Sequence, residues 1–256
     1  MSQDAAQRFG RPAPPRTSDP FDGILVLDKP AGPTSHDMVD RVRRLFGIRK
    51  VGHGGTLDPM ATGVLVMLLG RATKLSNMFL GSDKTYEGTL CLGIATDSHD
   101  AAGTITAEKE WRSVTQEQLL TEMAKFQGDL MQMPPMVSAI KIAGVPLYKH
   151  ARKGITVERE ARLIHVYEFS LTRFSPPDAD FILRCTKGTY VRKVVADIGD
   201  ALGCGAHLSR LRRTRSGDLT VENALTAAQL STLTSEELAS RLIPMSQFTS
   251  ARHVPR

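Results

Sequence analysis

The chain has little cysteine, no long apolar run and none of the common nucleotide-binding fingerprints, and each shortage excludes a class of protein. Its three cysteines, Cys91, Cys185 and Cys204, show neither CxxC spacing nor a ligand pattern with histidine. A disulfide framework and a zinc site are therefore not expected, and reduced thiols in a cytoplasmic protein are. No apolar stretch approaches the roughly 18 residues that span a bilayer, so no membrane segment is expected. Residues 1–20 lack the apolar core of a secretory signal; Pro12, Pro14, Pro15 and Pro20 among Arg8, Arg11 and Arg16 read as a disordered basic arm. Also missing are GxGxxG, GxxxxGK[ST] and the GxSxG elbow, the usual marks of dinucleotide, phosphate-loop and serine-hydrolase chemistry. Asp97, His99 and Asp100 are a grouping of metal-ligating types, but polar turn chemistry is the expectation there and no metal is assigned.

What is present is a globular composition, 41% hydrophobic and 23% charged, on 256 residues, enough for one large domain or two modest ones. The net charge of +6 is unevenly placed. Residues 184–215 carry eight basic side chains against Asp197 and Asp200, and residues 141–162 carry six against Glu158 and Glu160. Such clusters suit a phosphate backbone, with a merely solvated basic face as the alternative.

The stretch that organises the rest is residues 51–69, VGHGGTLDPMATGVLVMLL. Gly52, Gly54 and Gly55 permit backbone angles closed to other residues, Pro59 fixes one of its own, and between them stands one carboxylate, Asp58. The apolar run 64–69 reads as a buried strand that anchors the turn. An aimed acid is one reading; an ordinary turn aspartate is the other.

Upstream, residues 23–28 read as a strand, followed by a Lys29–Gly32 turn and a helix capped by Ser35, with Met38, Val42 and Leu45 inward and Gly47 closing it. Downstream, the patterns predict a short helix at 72–80 and a strand over 84–95 with Tyr86, Gly88, Leu90 and Leu92 on one face. A helix follows over 115–126, with Thr115 and Gln118 as a capping box and Leu119, Leu120, Met123 and Phe126 inward. Paired strands are predicted at 163–174 and 180–186, a helix at 189–202, and two short helices within 225–242 before a loose tail.

VGHGGTLDPMATGVL resembles the nucleophile motif of the TruB family of RNA pseudouridine synthases. Residues 29–35, KPAGPTS, are similar to the family's KPxGxTS; KTYEGTLCLGIATDSHDAAG, from Lys84, to its second motif; and KGTYVRKVVADIGDALGCGAHLSRLRRTRSG, from Lys187, to its third. PPMVSAIKIAGVPLYKHARKG resembles the thumb that grips the RNA stem-loop, so a thumb is expected over about 133–162. The resemblance covers residues 23–245. It implies an α/β (α+β) domain over 21–245, a largely antiparallel sheet flanked by helices with the cleft crossing it, and a 246–256 tail with no room for a complete PUA domain.

By the same resemblance Asp58 is the nucleophile, Tyr86 lies against the target base, and Tyr190 and Arg192 line the pocket. Arg192 is expected to keep Asp58 ionised through two parallel bonds, and Tyr86 to stack on the base and move a proton. His53 is expected to hold the RNA with its base extruded and Leu211 to pack near the uracil. Lys29, grouped with the substrate-binding residues, is expected to support the site. The implied substrate is the T-loop uridine at position 55 in the tRNA T-arm, with no cofactor, no obligatory protein partner and a monomeric enzyme. Two departures stand out: Gly54 where the family commonly has Thr, and Val137 where it has Tyr. The rival readings are a guide-dependent ribosomal RNA synthase and a non-catalytic tRNA-folding chaperone; a glycosidase is weaker, since it normally needs a second carboxylate.

Overall fold

In a computed structural model of the chain, residues 20–249 are described, apart from 139, 143, 152 and 156. The basic arm at 1–19, the end of the tail at 250–256, and Arg152 of the second basic cluster lie outside the described residues.

β1 (Gly23–Lys29) leads through the proline turn into α1 (Ser35–Phe46), then β2 (Val51–His53) and β3 (Thr62–Leu69). Thr34, not Ser35, caps α1: its hydroxyl accepts the Asp37 N–H while the Asp37 carboxylate accepts the Thr34 N–H, the reciprocal box that satisfies two orphan donors. Ser35 is thereby freed to turn inward. The buried stripe of α1 is Met38, Val39 and Val42, and Leu45 in the last turn is exposed. A 3₁₀ turn at Gly70–Leu75 precedes α2 (Ser76–Gly81), where the sequence predicted one helix.

β4 (Lys84–Leu92) ends at Gly93, whose φ of +88° turns the chain into the small hairpin of β5 (Ile94–Thr96) and β6 (Ile105–Glu108). α3 (Gln116–Ala124) has the expected Thr115–Gln118 box, with Leu119 and Met123 buried; Leu120 sits 100° round the helix from Leu119 and is exposed. Next come β7 (Gly128–Gln132), the short pair β8 (Lys141–Ile142) and β9 (Val145–Pro146), α4 (Leu147–Ala151), and the long strands β10 (Arg162–Ser175) and β11 (Asp178–Cys185). α5 (Val191–Ala201) and β12 (Ala206–Ser216) follow, then β13 (Leu219–Thr220), β14 (Leu225–Thr226), α6 (Ala227–Thr232), α7 (Ser235–Arg241), β15 (Ile243–Pro244) and α8 (Ser246–Thr249). The loose tail thus begins as a helical turn, with Phe248 edge-on to Phe79 at 5.0 Å.

Eleven of these strands form one sheet among the described residues, with a spine β14-β1-β3-β12-β4-β11-β10-β7. Its pairs are antiparallel except β1 with β14 and β3 with β12. The architecture is therefore α+β with a largely antiparallel sheet, as the resemblance implies. At the parallel junction Arg213 of β12 pairs with Gly63 of β3 on one side and Tyr86 of β4 on the other. The cleft opens there.

Candidate active site

The bend from Gly54 to Pro59 is pinned at every residue. Gly54 N–H donates to the Val66 carbonyl (2.8 Å), and the carbonyls of Gly55 and Thr56 accept from Arg213 (3.1 and 3.3 Å). Ser35 Oγ both accepts the Leu57 N–H (2.9 Å) and donates to the Leu57 carbonyl (3.1 Å). Asp58 O accepts from Ala61 N–H (3.1 Å), and Pro59 O accepts from Gly32 N–H (2.9 Å) and Lys29 Nζ (3.1 Å). A backbone tied at each residue by such a bond has few alternatives. The direction of the Asp58 side chain is set by this frame.

Asp58 stands in a cleft of about 350 Å³ also lined by Tyr86, Tyr190, Arg192 and Leu211, a volume within the range of ligand pockets. Five of the seven residues singled out from the sequence thus share one cavity. Lys29 and His53 do not line it. Lys29 is fully buried, and its ammonium donates to Pro30 O and Pro33 O (both 2.8 Å) as well as Pro59 O, so it ties the proline turn after β1 to the Asp58 bend. Burial pushes its pKa down to about 8. His53, on β2, accepts the Gly55 N–H at Nδ1 (3.4 Å), and burial, with Arg213 nearby, lowers its pKa.

Arg192, 3% exposed, enters from the first turn of α5. Its Nε lies 3.3 Å from Asp58 Oδ2, out of line for a hydrogen bond, and its Nη1 lies 3.8 Å from Asp100 Oδ2. The two-bond fork expected from sequence does not form, because Nη1 donates to Ser98 O (3.2 Å) and Nη2 to Val137 O. One guanidinium is instead shared between two carboxylates. Asp100, whose Oδ1 accepts from Ser98 Oγ (2.6 Å) and Ala102 N–H (3.0 Å), is a site residue that sequence reasoning placed in a plain turn. Among the described residues no metal-binding cluster exists, the Asp97–His99–Asp100 turn included.

Burial pushes the Asp58 carboxyl above its ordinary range and Asp100 adds to that; Arg192 and Lys29 pull it back. The expectation that the cation cancels desolvation is thus met only in part, although the side chain remains 39% open to solvent at the cleft. Burial also lifts the Tyr86 phenol to about 12, so at neutral pH it carries its proton. That makes it a ring and a hydrogen-bond donor before it is a base. Tyr190 lies with its ring centroid 5.8 Å from the Arg192 guanidinium carbon, and its backbone is held on both sides by buried Gln132, which accepts its N–H (2.8 Å) and donates to its carbonyl (3.2 Å).

The two departures from the family pattern have distinct structural settings. Val137 leaves its side chain exposed and serves through its carbonyl on Arg192. A Cβ at Gly54 would stand 2.4 Å from the Cβ of Phe79, so α2 packs over the bend where a hydroxyl-bearing side chain would otherwise sit. Gly54→Thr is therefore expected to lower stability by about 1–3 kcal/mol, the usual cost of overpacking, read as a lower Tm. An unchanged Tm would mean that α2 yields freely.

The basic run at 184–215 is only partly a surface. Arg192 and Arg213 are buried, and Arg212 pairs with Asp28 (2.7 Å). Arg210 and Arg215 remain largely exposed. A second hollow of about 890 Å³ shares Leu211 with the Asp58 cleft and is lined by Arg210 and Arg212.

Residues 43–191 match the family model described as TruB family pseudouridylate synthase (N terminal domain), and residues 192–248 match that of the tRNA pseudouridylate synthase B C-terminal domain. The tRNA pseudouridine synthase B of Opitutus terrae is 51% identical over 227 residues, covering 89% of this chain and 94% of that protein. The protein of the same name from Burkholderia pseudomallei is 46% identical over 230 residues, covering 90% and 76%. Among solved structures, a Cbf5-Nop10-Gar1 complex superposes with a TM-score of 0.71 at 30% identity, over 89% of this chain and 61% of that one. An H/ACA RNP bound to a substrate RNA containing 2'-deoxyuridine gives 0.66 at 28%, over 88% and 60%. The chain therefore spans about three fifths of those solved chains.

Proposed function

Because the chain belongs to the TruB family of pseudouridylate synthases, we propose that it isomerises uridine to pseudouridine in tRNA, at the T-loop uridine of position 55, with Asp58 as nucleophile. The observation that carries the assignment is one pinned carboxylate sharing a cleft with a buried arginine, two tyrosines and a leucine. Residues 21–245 are assigned to the catalytic domain, with the thumb over about 133–162.

The uridine must leave its stack to enter, at a cost of a few kcal/mol, which stacking on Tyr86 offsets by ~1–3 kcal/mol. The Asp58 carboxylate then bonds to the sugar C1′ as the C1′–N1 bond breaks, the electron pair leaving with N1. The base turns within the pocket, its C5 bonds to C1′ and expels the carboxylate, and the C5 proton passes to a base while N1, which left as an anion, takes up a proton from water. Atoms and electrons balance without a redox partner, so we assign no cofactor.

Arg192 and Lys29 favour the ionised form of Asp58 that this needs. Lys29 and Ser35 act on the frame of the bend, and exposed Arg210 and Arg215 are assigned to phosphates. Exclusion of water separates this chemistry from hydrolysis, which would release free uracil. No helix among the described residues is long and apolar enough to cross a membrane; we infer a cytoplasmic, monomeric enzyme that needs no protein partner.

The likeness to Cbf5 complexes is the reason to keep a guide-dependent reading in the test. The purified chain is expected to release the C5 tritium of uridine from an unmodified tRNA transcript without guide RNA or added protein. Activity that appears only with guide and partner proteins would favour the rival.

A further inference from the structure

We propose that Arg213 is a positioning residue for the isomerisation, its guanidinium fixing the bend that carries Asp58 to the edge of β3. The proposal rests on the function assigned above. Arg213 is 2% exposed and heads the fully buried side chains by volume. Its three donor groups are spent on backbone: Nε on Val64 O (2.7 Å), Nη1 on Thr56 O (3.3 Å) and Nη2 on Gly55 O (3.1 Å). Two of those carbonyls lie two and three residues before the nucleophile. The third belongs to the strand that follows it.

The chain makes room for this contact. Gly63 has φ of +99°, and a Cβ there would stand 2.2 Å from the Arg213 carbonyl oxygen; Gly55 has φ of +149° and faces the Arg213 Nη1. Any side chain at Gly63 would force β12 away from β3 and pull the guanidinium off the bend.

Two simpler explanations fail. A phosphate contact needs an exposed guanidinium, whereas Arg213, although it lines the floor of the Asp58 cleft, is 2% exposed and turns each of its nitrogens to a backbone carbonyl. A plain structural ion pair needs a carboxylate, and among the described residues Arg213 forms no ion pair. Lys84 and Lys29 are close enough that the Arg213 charge adds to the depression of both their pKa values. A buried cation beside two others is costly. What it supplies is a rigid planar fork that spans two successive carbonyls and a neighbouring strand, which a lysine's single ammonium does not reproduce. Arg213 also stands opposite Tyr86 in the pairing of β12 with β4, so the nucleophile bend and the tyrosine of the cleft share one anchor.

The test is Arg213→Lys, with single-turnover tritium release, RNA affinity and near-UV circular dichroism measured on the same preparation. The expected result is a rate lowered ~100-fold, the effect of misplacing a reacting group by about 1 Å, with RNA Kd within about twofold of wild type and native circular dichroism. A rate within about threefold of wild type, or an affinity loss that tracks the rate loss, would overturn the proposal. Should Arg213→Lys not fold, Arg213→Gln carries the same measurements; if neither folds, the side chain is scaffold and the proposal fails. Wild-type inactivity on the transcript would instead defeat the assigned function, and this inference with it.

Discussion

Asp58→Asn is expected to reduce pseudouridine formation by a factor on the order of 10⁴ or more, the scale of loss when a covalent nucleophile is removed, with RNA binding retained. The amide keeps the shape of the side chain and cannot bond to C1′. The fold is expected to hold equally well or better. Burial raises the folded-state pKa of Asp58 above the unfolded value, so between those two values the folded protein binds the extra proton. Stability therefore falls as pH rises through that window. A neutral amide removes that cost, and Tm is expected to match or exceed wild type at neutral pH. A clear drop in Tm would mean that the charge holds the site together.

Arg192→Met has the second largest expected effect. It leaves Asp58 and Asp100 facing one another without the cation they share, and it strands the carbonyls of Ser98 and Val137. Breaking a buried pair from one side costs about 3–5 kcal/mol, and the lower end applies because Asp58 is partly open to water. For a chain of this size that corresponds to a Tm lower by roughly 6–12 °C. Activity shows a separate signature. Arg192 is the largest influence pulling the Asp58 pKa down, so its loss raises that pKa further. Ionised Asp58 is the active form in the proposed reaction, so the acid limb of the single-turnover pH profile is expected to move to higher pH. A lower rate with an unmoved limb would assign Arg192 to RNA binding alone.

The Asp58 turn was legible in local glycine, proline and apolar spacing, whereas the sheet's character and the pocket pair Tyr190–Arg192 came from the resemblance alone. β12 stayed hidden for a physical reason. Its residues read LSRLRRTRS across the region beside Asp58, and the inward position taken by Arg213 carries a charge spent on backbone carbonyls, so no apolar alternation marks the strand. Buried Arg213 was counted with the basic cluster for the same reason: burial depends on which strands pair. Asp100 was invisible because its partner Arg192 lies 92 positions away, and Ser35 because the reading assigned it a cap that Thr34 makes. The expected Arg192 fork failed on competition from two carbonyls of distant segments, which no local pattern encodes.

Mapping pseudouridine along tRNA from cells lacking the protein, and from the same cells given back wild type or Asp58→Asn, bears on the whole account at once. Position 55 is expected to be unmodified without the protein, restored by wild type and left as uridine by the variant. Modification at 55 in cells that make only Asp58→Asn would contradict it.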